Sequence, residues 1–461
     1  MRDFTTGSIP RHILVFAWPM FVGNLLQALY NTVDSFWVGR FLGPEALGAV
    51  SISFPVIFTL ISLVAGLTMA STTMVAQYRG AGDAERVRRS VSTSLSAITL
   101  VGLLSTVVGI LLRYEILSLM RTPPAILEPA ALYLGIFLTG LVPMFLFNAV
   151  SAILRGLGDS VTPLRYLAYA TVLNIVLDPL FIFGLGPIPA MGIRGVALAT
   201  VLAQLIATVV TLRYLAHGTD LLEGKITSLS TWRLDRHLAY ELFRIGIPAG
   251  LQSVVVSFAM MILTAVVNSF GPTTVAAFGA ASRLDQFAFL PAFSVSFAAT
   301  ALVGQNLGAQ KMERVRETVR WSLLLAGAIT VGITLVALLR PTILLVIFTQ
   351  DEGVIREGIT YLRIVGLSYV PLALMFTLSG VLRGAGDTMA TMVISLLTLW
   401  GIRLPLAIGL SHYLGWGVAG AWWSITFSAL AGLALNALYY WRGNWQRKAL
   451  VKPRPLPAEQ N

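Results

Sequence analysis

Runs of roughly twenty apolar residues, the length an α-helix needs to cross a bilayer, recur along the whole chain. About twelve can be read, near 13–38, 48–75, 92–112, 130–152, 161–184, 193–215, 242–268, 272–300, 321–347, 360–382, 390–411 and 416–441. A chain built this way must satisfy its backbone within helices, because hydrocarbon offers no partner for a free N–H or C=O. Charged residues make up only 11% of the 461 positions, against about 25% in a soluble domain. The expected fold is therefore an all-α polytopic membrane protein of about twelve spans.

Basic residues orient the spans. With both termini placed in the cytoplasm, the cytoplasmic segments hold 23 of the 32 Lys and Arg, and the outer loops hold seven. This is the bias of a multi-pass protein of the cell inner (plasma) membrane. The net charge of +11 is thus mainly a topology signal, and no basic face on a soluble domain points to nucleic acid. The start, "MRDFTTGSIPRH", lacks a cleavable signal pattern, so the first apolar run is expected to remain as a helix. There are no cysteines, and the four histidines are scattered, which excludes disulfides and thiolate metal sites.

The two halves repeat. "QYRGAGDAERVRR" (77–89) pairs with "QNLGAQKMERVRE" (305–317), "LRGLGDS" (154–160) with "LRGAGDT" (382–388), and Gly43-Pro44 with Gly271-Pro272, all at an offset of 228. An even number of spans per half makes these parallel repeats, a transporter plan in which substrate passes between lobes. The expected division is an N-lobe over 1–216, a cytoplasmic linker over 217–241, a C-lobe over 242–445 and a cytoplasmic tail over 446–461.

Three acids fall inside spans: Asp34, Asp178 and Asp285. An acid at mid-helix costs about 2.5–3.5 kcal/mol on insertion scales, so each needs a reason. At 1.5 Å per residue, Asp34 and Asp178 both lie about 9 Å from the outer ends of their helices, Thr200 about 12 Å and Tyr133 about 8 Å. Asn31 and Asn174 lie one turn before the two acids, on the same helix faces. These oxygens, with no arginine within the same lobe's membrane interior, suit a bound proton or a hard cation such as Na⁺. Asp178 could instead serve backbone freed by Pro179. In the second half, Arg283, Asp285 and Arg403 read as structural charges, with Arg403–Asp285 or Arg283–Asp285 as the expected brace.

Together, "PMFVGNLLQALYNTVDSFWVGRFLG" (19–43), "LRGLGD" with "NIVLDP", "GIRGVALAT" (192–200), "LVGQNLGA" (302–309) and "VLRGAGDT" (381–388) resemble the multidrug and toxic compound extrusion transporters over essentially the whole chain. The resemblance implies antiport, with inward H⁺ or Na⁺ driving export of amphiphilic, often cationic, drugs. It implies no other cofactor, and a monomer in the bilayer is the expected state. It also implies that Asp34, Asn174, Asp178, Thr200 and Tyr133 form the coupling site, and that helix 1 bends at Pro19. The branch with a C-lobe cation site has a helix-7 glutamate and a helix-10 aspartate. Here Gln252 stands in helix 7 and helix 10 has no acid, so the branch coupled through its N-lobe fits better.

Three other readings compete with this one. "GLGD" and "GAGD" mimic an intramembrane aspartyl protease, but Arg155 and Arg383 put both acids at cytoplasmic helix ends, where aspartate caps the next helix. No enzyme is expected, and no Walker-type phosphate loop is present. A lipid-linked oligosaccharide flippase of the same superfamily would carry several interior cations, against only Arg283 and Arg403 here. A dedicated metabolite exporter cannot be told apart from a multidrug pump by these residues.

Overall fold

The structure is a computed structural model that describes residues 1–184, 186–217 and 232–452, with the side chains of Asn31 and Ser35 set aside. Residues 218–231 of the expected linker, the tail beyond 452 and the Asn31 side chain lie outside the described residues.

Sixteen α-helices make up the described chain. The first seven are α1 (Ile9–Phe41), α2 (Gly43–Gly80), α3 (Ala84–Leu119), α4 (Pro124–Thr139), α5 (Leu141–Gly156), α6 (Val161–Phe183) and α7 (Ile193–His217). Then come α8 (Arg236–Asn268), α9 (Pro272–Gly308), α10 (Met312–Leu339), α11 (Pro341–Val346), α12 (Glu352–Val365) and α13 (Tyr369–Gly384). The last are α14 (Thr388–Leu396), α15 (Leu404–Ile408) and α16 (Val418–Arg442). Eleven spans among them are long and apolar enough to cross a membrane, and α4 with α5, bent by 47°, makes a twelfth. The span from α14 through α15 widens to π-helix at Leu397–Arg403. Pro405 follows, and its missing N–H cannot close the regular bond to Gly401.

The repeated motifs fold alike. Asp159 Oδ1 accepts the N–H groups of Val161 and Thr162, each at 3.0 Å, at the start of α6. Asp387 Oδ1 accepts that of Ala390 at 3.4 Å at the start of α14. Both acids accept N–H groups from the first turn of the helix that follows, which satisfies orphan donors of a helix start.

Two compact units emerge, and their limits differ from the expected lobes. The first comprises Met1–Arg2, Val22–Val75 and the described part of 83–250; the second comprises Asp3–Phe21, Ala76–Gly82 and the chain from Leu251 onward. Residues 3–21 belong to the second unit because Phe4, Ile9, Ile13 and Phe16 bury against Val295, Ala298 and Leu302. The stretch 236–241, expected in the linker, already forms the first turns of α8. That start is pinned on α3: Ser92 Oγ accepts Arg233 N–H at 2.7 Å, Thr93 Oγ1 accepts Asp235 N–H at 3.2 Å, and Arg89 pairs with Asp235. The first half of α8 stays in the first unit, since Gly246 and Gly250 lie against Gly66 of α2 too closely for a Cβ there. The tail, expected to begin at 446, starts as a 3₁₀ turn at Asn444–Lys448 with Trp445 buried.

In the second unit, the C-terminal end of α2 crosses that of α9 with the repeat's symmetry. Gly80 rests on the backbone of Gln305, and Gly308 on the backbone of Gln77. Gln305 Oε1 accepts Phe4 N–H at 3.0 Å, and Gln77 Oε1 accepts Leu450 N–H at 2.7 Å. The motif "Q-x-x-G" thus joins the helices and holds one terminal segment each.

Candidate functional site

In the first unit, α1, α4, α6 and α7 bring polar side chains together inside spans. Asn174 and Asp178, one turn apart on α6, are fully buried, and Asn174 Nδ2 donates to Asp178 Oδ1 at 3.3 Å. The acid therefore serves the amide, and no backbone N–H is its partner. The carboxyl groups of Asp178 and Asp34 of α1 approach each other directly. Tyr133 of α4 is buried within the field of both charges. Thr200 of α7 is buried and donates to Val196 O at 3.1 Å, which leaves its oxygen lone pairs available.

Tyr30 completes the group and was not foreseen from sequence. It is buried one turn before Asp34, is directed toward Thr200, and feels Asp34, Asp178 and Tyr133. Its spacing of four from Asp34 was the available signal.

The site has oxygens in excess. Asp34 Oδ1, Asp178 Oδ2, Asn174 Oδ1 and Tyr30 Oη are buried with no hydrogen-bond partner among the described residues. An orphaned buried polar atom costs about 1–3 kcal/mol, and two ionised carboxylates cannot donate to one another. Such a site can take up a proton shared between the acids, or a hard cation held by oxygens. No group of three or more His, Asp or Glu that could hold a metal occurs among the described residues. The oxygens of Asp34, Asn174, Asp178 and Thr200 are of the type a Na⁺ ion takes as donors. Pro19 lies within the continuous helix α1, two residues before the point where α1 passes from the second unit to the first.

The expected brace in the second half is corrected. Asp285 of α9 accepts from the hydroxyls of Tyr361 and Tyr369, the latter at 2.5 Å. Arg403 is buried and donates from Nε to Ser428 Oγ at 2.8 Å. No ion pair among the described residues joins Asp285 to Arg403 or Arg283. Two neutral donors satisfy both carboxylate oxygens, so no guanidinium is needed there. Arg403 lies within electrostatic range of Tyr361. Gln252 sits in a separate polar knot, donating to Ser395 Oγ at 2.7 Å and accepting from Arg383 and Thr391 at 3.1 and 3.2 Å.

Repeated helical spans with acceptor-rich polar groups buried inside them define a multi-pass membrane protein of the transporter class. The chain belongs to the MatE family, whose pattern matches residues 19–180 and again 248–408, once in each half. It is 33% identical over 451 residues to the probable multidrug resistance protein YpnP of Bacillus subtilis, covering 97% of this chain and 98% of that one. It is 27% identical over 419 residues to the FAD transporter of Shewanella oneidensis, covering 90% of each. Among solved structures, an outward-facing multidrug resistance MATE family transporter superposes with a TM-score of 0.87 at 25% identity, covering 97% of this chain and 98% of the other.

Proposed function

We propose that this chain is a cation-coupled antiporter of the cell membrane, with both termini cytoplasmic, that exports amphiphilic drug-like compounds. One observation carries the coupling: Asp34 and Asp178 face each other among oxygens that, among the described residues, have no hydrogen-bond donor and no basic partner. The like-charge repulsion within the pair is relieved only when a proton or Na⁺ is bound between them. A cation arriving from outside removes the repulsion, draws α1 and α6 together, and changes the shape of the first unit's interior. The substrate, favoured by the cation-free form, is then released, so ion and substrate compete through a conformational equilibrium. Helix α1, which carries both Pro19 and Asp34, is the element through which that change spreads.

The test is uphill efflux of a fluorescent amphiphile from proteoliposomes under separately imposed pH and Na⁺ gradients. Export driven by one gradient in the wild type and absent in Asp34→Asn, with the variant still monodisperse, supports the reading. Unimpaired gradient-driven export by Asp34→Asn overturns it. A second reading, export of one dedicated metabolite, draws on the similarity to the FAD transporter. A substrate panel with a single compound transported would favour it.

A further inference from the structure

The exposed stripe of α9 is unlike that of a lipid-facing helix. Along the middle of α3 the exposed side chains are Leu100, Leu104, Val107 and Leu111, the large aliphatics that hydrocarbon accepts. On α9 the exposed stripe runs instead through Gly279, Arg283, Gln286 and Phe287, spaced by three to four residues as one helix face. Arg283 stands about 16 Å along the helix from Pro272, well inside a segment long and apolar enough to span. A guanidinium at that depth faces water or a ligand, not acyl chains. One turn away, a Cβ on Gly279 would meet nothing within 4 Å, so the space beside the stripe is open.

Arg283 has no hydrogen bond or ion pair among the described residues. Asp285, the nearest acid in sequence, is held by Tyr361 and Tyr369. The five N–H donors of Arg283 are thus uncommitted in a planar fork that matches a carboxylate or phosphate. Phe287, one turn further on, presents a half-exposed ring. Its apolar face lies beside the charge, as an aromatic amphiphile would require.

We propose that Arg283 recognises an anionic group on the exported compound and that Phe287 holds its aromatic body, so that the substrates include amphiphilic organic anions. This rests on the exporter reading and adds the substrate class to it. The second unit supplies the cationic contact, while the coupling acids Asp34 and Asp178 belong to the first.

A rhodamine dye with a free carboxylate and its methyl ester test the idea, because they differ in the anionic group alone. Binding to purified protein in detergent is followed by fluorescence anisotropy. The wild type is expected to bind the acid about tenfold more tightly than the ester, the scale of one charge-assisted hydrogen-bonded pair. Arg283→Gln should remove that preference by weakening the acid and leaving the ester within about twofold, and Arg283→Lys should keep most of it. No measurable binding of the acid, equal binding of both dyes by the wild type, or a preference that survives Arg283→Gln overturns the proposal. Competition separates the sources of such an anion. Displacement of the dye by a soluble aromatic carboxylate supports the substrate, whereas displacement by short-chain phosphatidylglycerol alone overturns it. Uphill efflux of the two dyes tells the two readings apart. Gradient-driven export without preference for the acid keeps the exporter and discards the recognition residue; charge-selective binding without uphill export does the reverse.

Discussion

Gly80 lies on the backbone of Gln305 with no room for a Cβ between them, and the repeat sets Gly308 on Gln77 in the same way. The two crossings lie beside the glutamines that hold Phe4 and Leu450. Any side chain at either glycine must push backbone from backbone. Gly80→Ala and Gly308→Ala are each expected to destabilise the protein by on the order of 3 kcal/mol, as overpacking of a rigid contact does. Gly332→Ala in α10 meets nothing within 4 Å and should be neutral, or gain up to about 1 kcal/mol of helix propensity. Thermal unfolding in detergent followed by monodispersity measures all three, and equal melting of Gly80→Ala and Gly332→Ala would contradict the crossing.

Asp285 depends on tyrosines, and this can be separated from dependence on arginine. Tyr361→Phe and Tyr369→Phe should each cost about 1–3 kcal/mol, since a buried carboxylate oxygen loses its donor. Double-mutant cycles give the distinction. Asp285→Asn should couple to Tyr361→Phe by more than about 1 kcal/mol and to Arg403→Met by less than about 0.5 kcal/mol. The opposite ranking would restore the direct ion pair.

Much of this architecture was legible because the bilayer imposes it. Apolar runs of fixed length, the repeat at 228 and the glycines of "QYRG" and "QNLG" all stand in the sequence. Asp34 and Asp178 also stood out, since a carboxylate in a span always needs a reason. Tyr30 did not, because an aromatic residue in an apolar helix is ordinary and only packing shows its hydroxyl among acids. The partners of Asp285 lie 76 and 84 residues away, and charge alone favoured arginines over neutral hydroxyls. The unit limits were hidden for a similar reason: they follow from where Phe4, Ile9 and Phe16 bury, while a loop-based division follows only hydrophilicity.

Asp235 gives a pH test outside the spans. Burial raises its carboxyl, but the N–H groups of Leu238 and His237, together with Arg89, outweigh that and hold it below the usual aspartate range. A depressed folded value means that the stabilisation is complete above the unfolded pKa and is lost as pH falls through the folded one. Wild type and Asp235→Asn should therefore differ in protection of the first turns of α8 at neutral pH. The difference should shrink below about pH 4. Hydrogen exchange of the amides of His237 and Leu238 reads this directly, and a difference that grows on acidification would be the wrong sign.

The coupling site should show graded losses that follow what each group contributes. Asp34→Asn removes one charge of the facing pair, leaves nothing for a proton or Na⁺ to neutralise at that position, and should abolish uphill export. Asp178→Asn keeps an acceptor for Asn174 and leaves Asp34 ionisable, so export should be severely weakened, about a hundredfold, as for loss of a charged partner worth about 3 kcal/mol. Tyr30→Phe removes an orphaned hydroxyl without removing charge. It should therefore lower apparent cation affinity about threefold to tenfold, the scale of one neutral hydrogen bond, while leaving the maximal rate nearly intact. Thr200→Val and Tyr133→Phe should fall in the same range. Cation dependence of efflux, fitted for half-saturation and maximal rate separately, distinguishes these cases. If Tyr30→Phe lowers the maximal rate and leaves half-saturation unchanged, Tyr30 acts in the conformational step and is not a ligand of the ion.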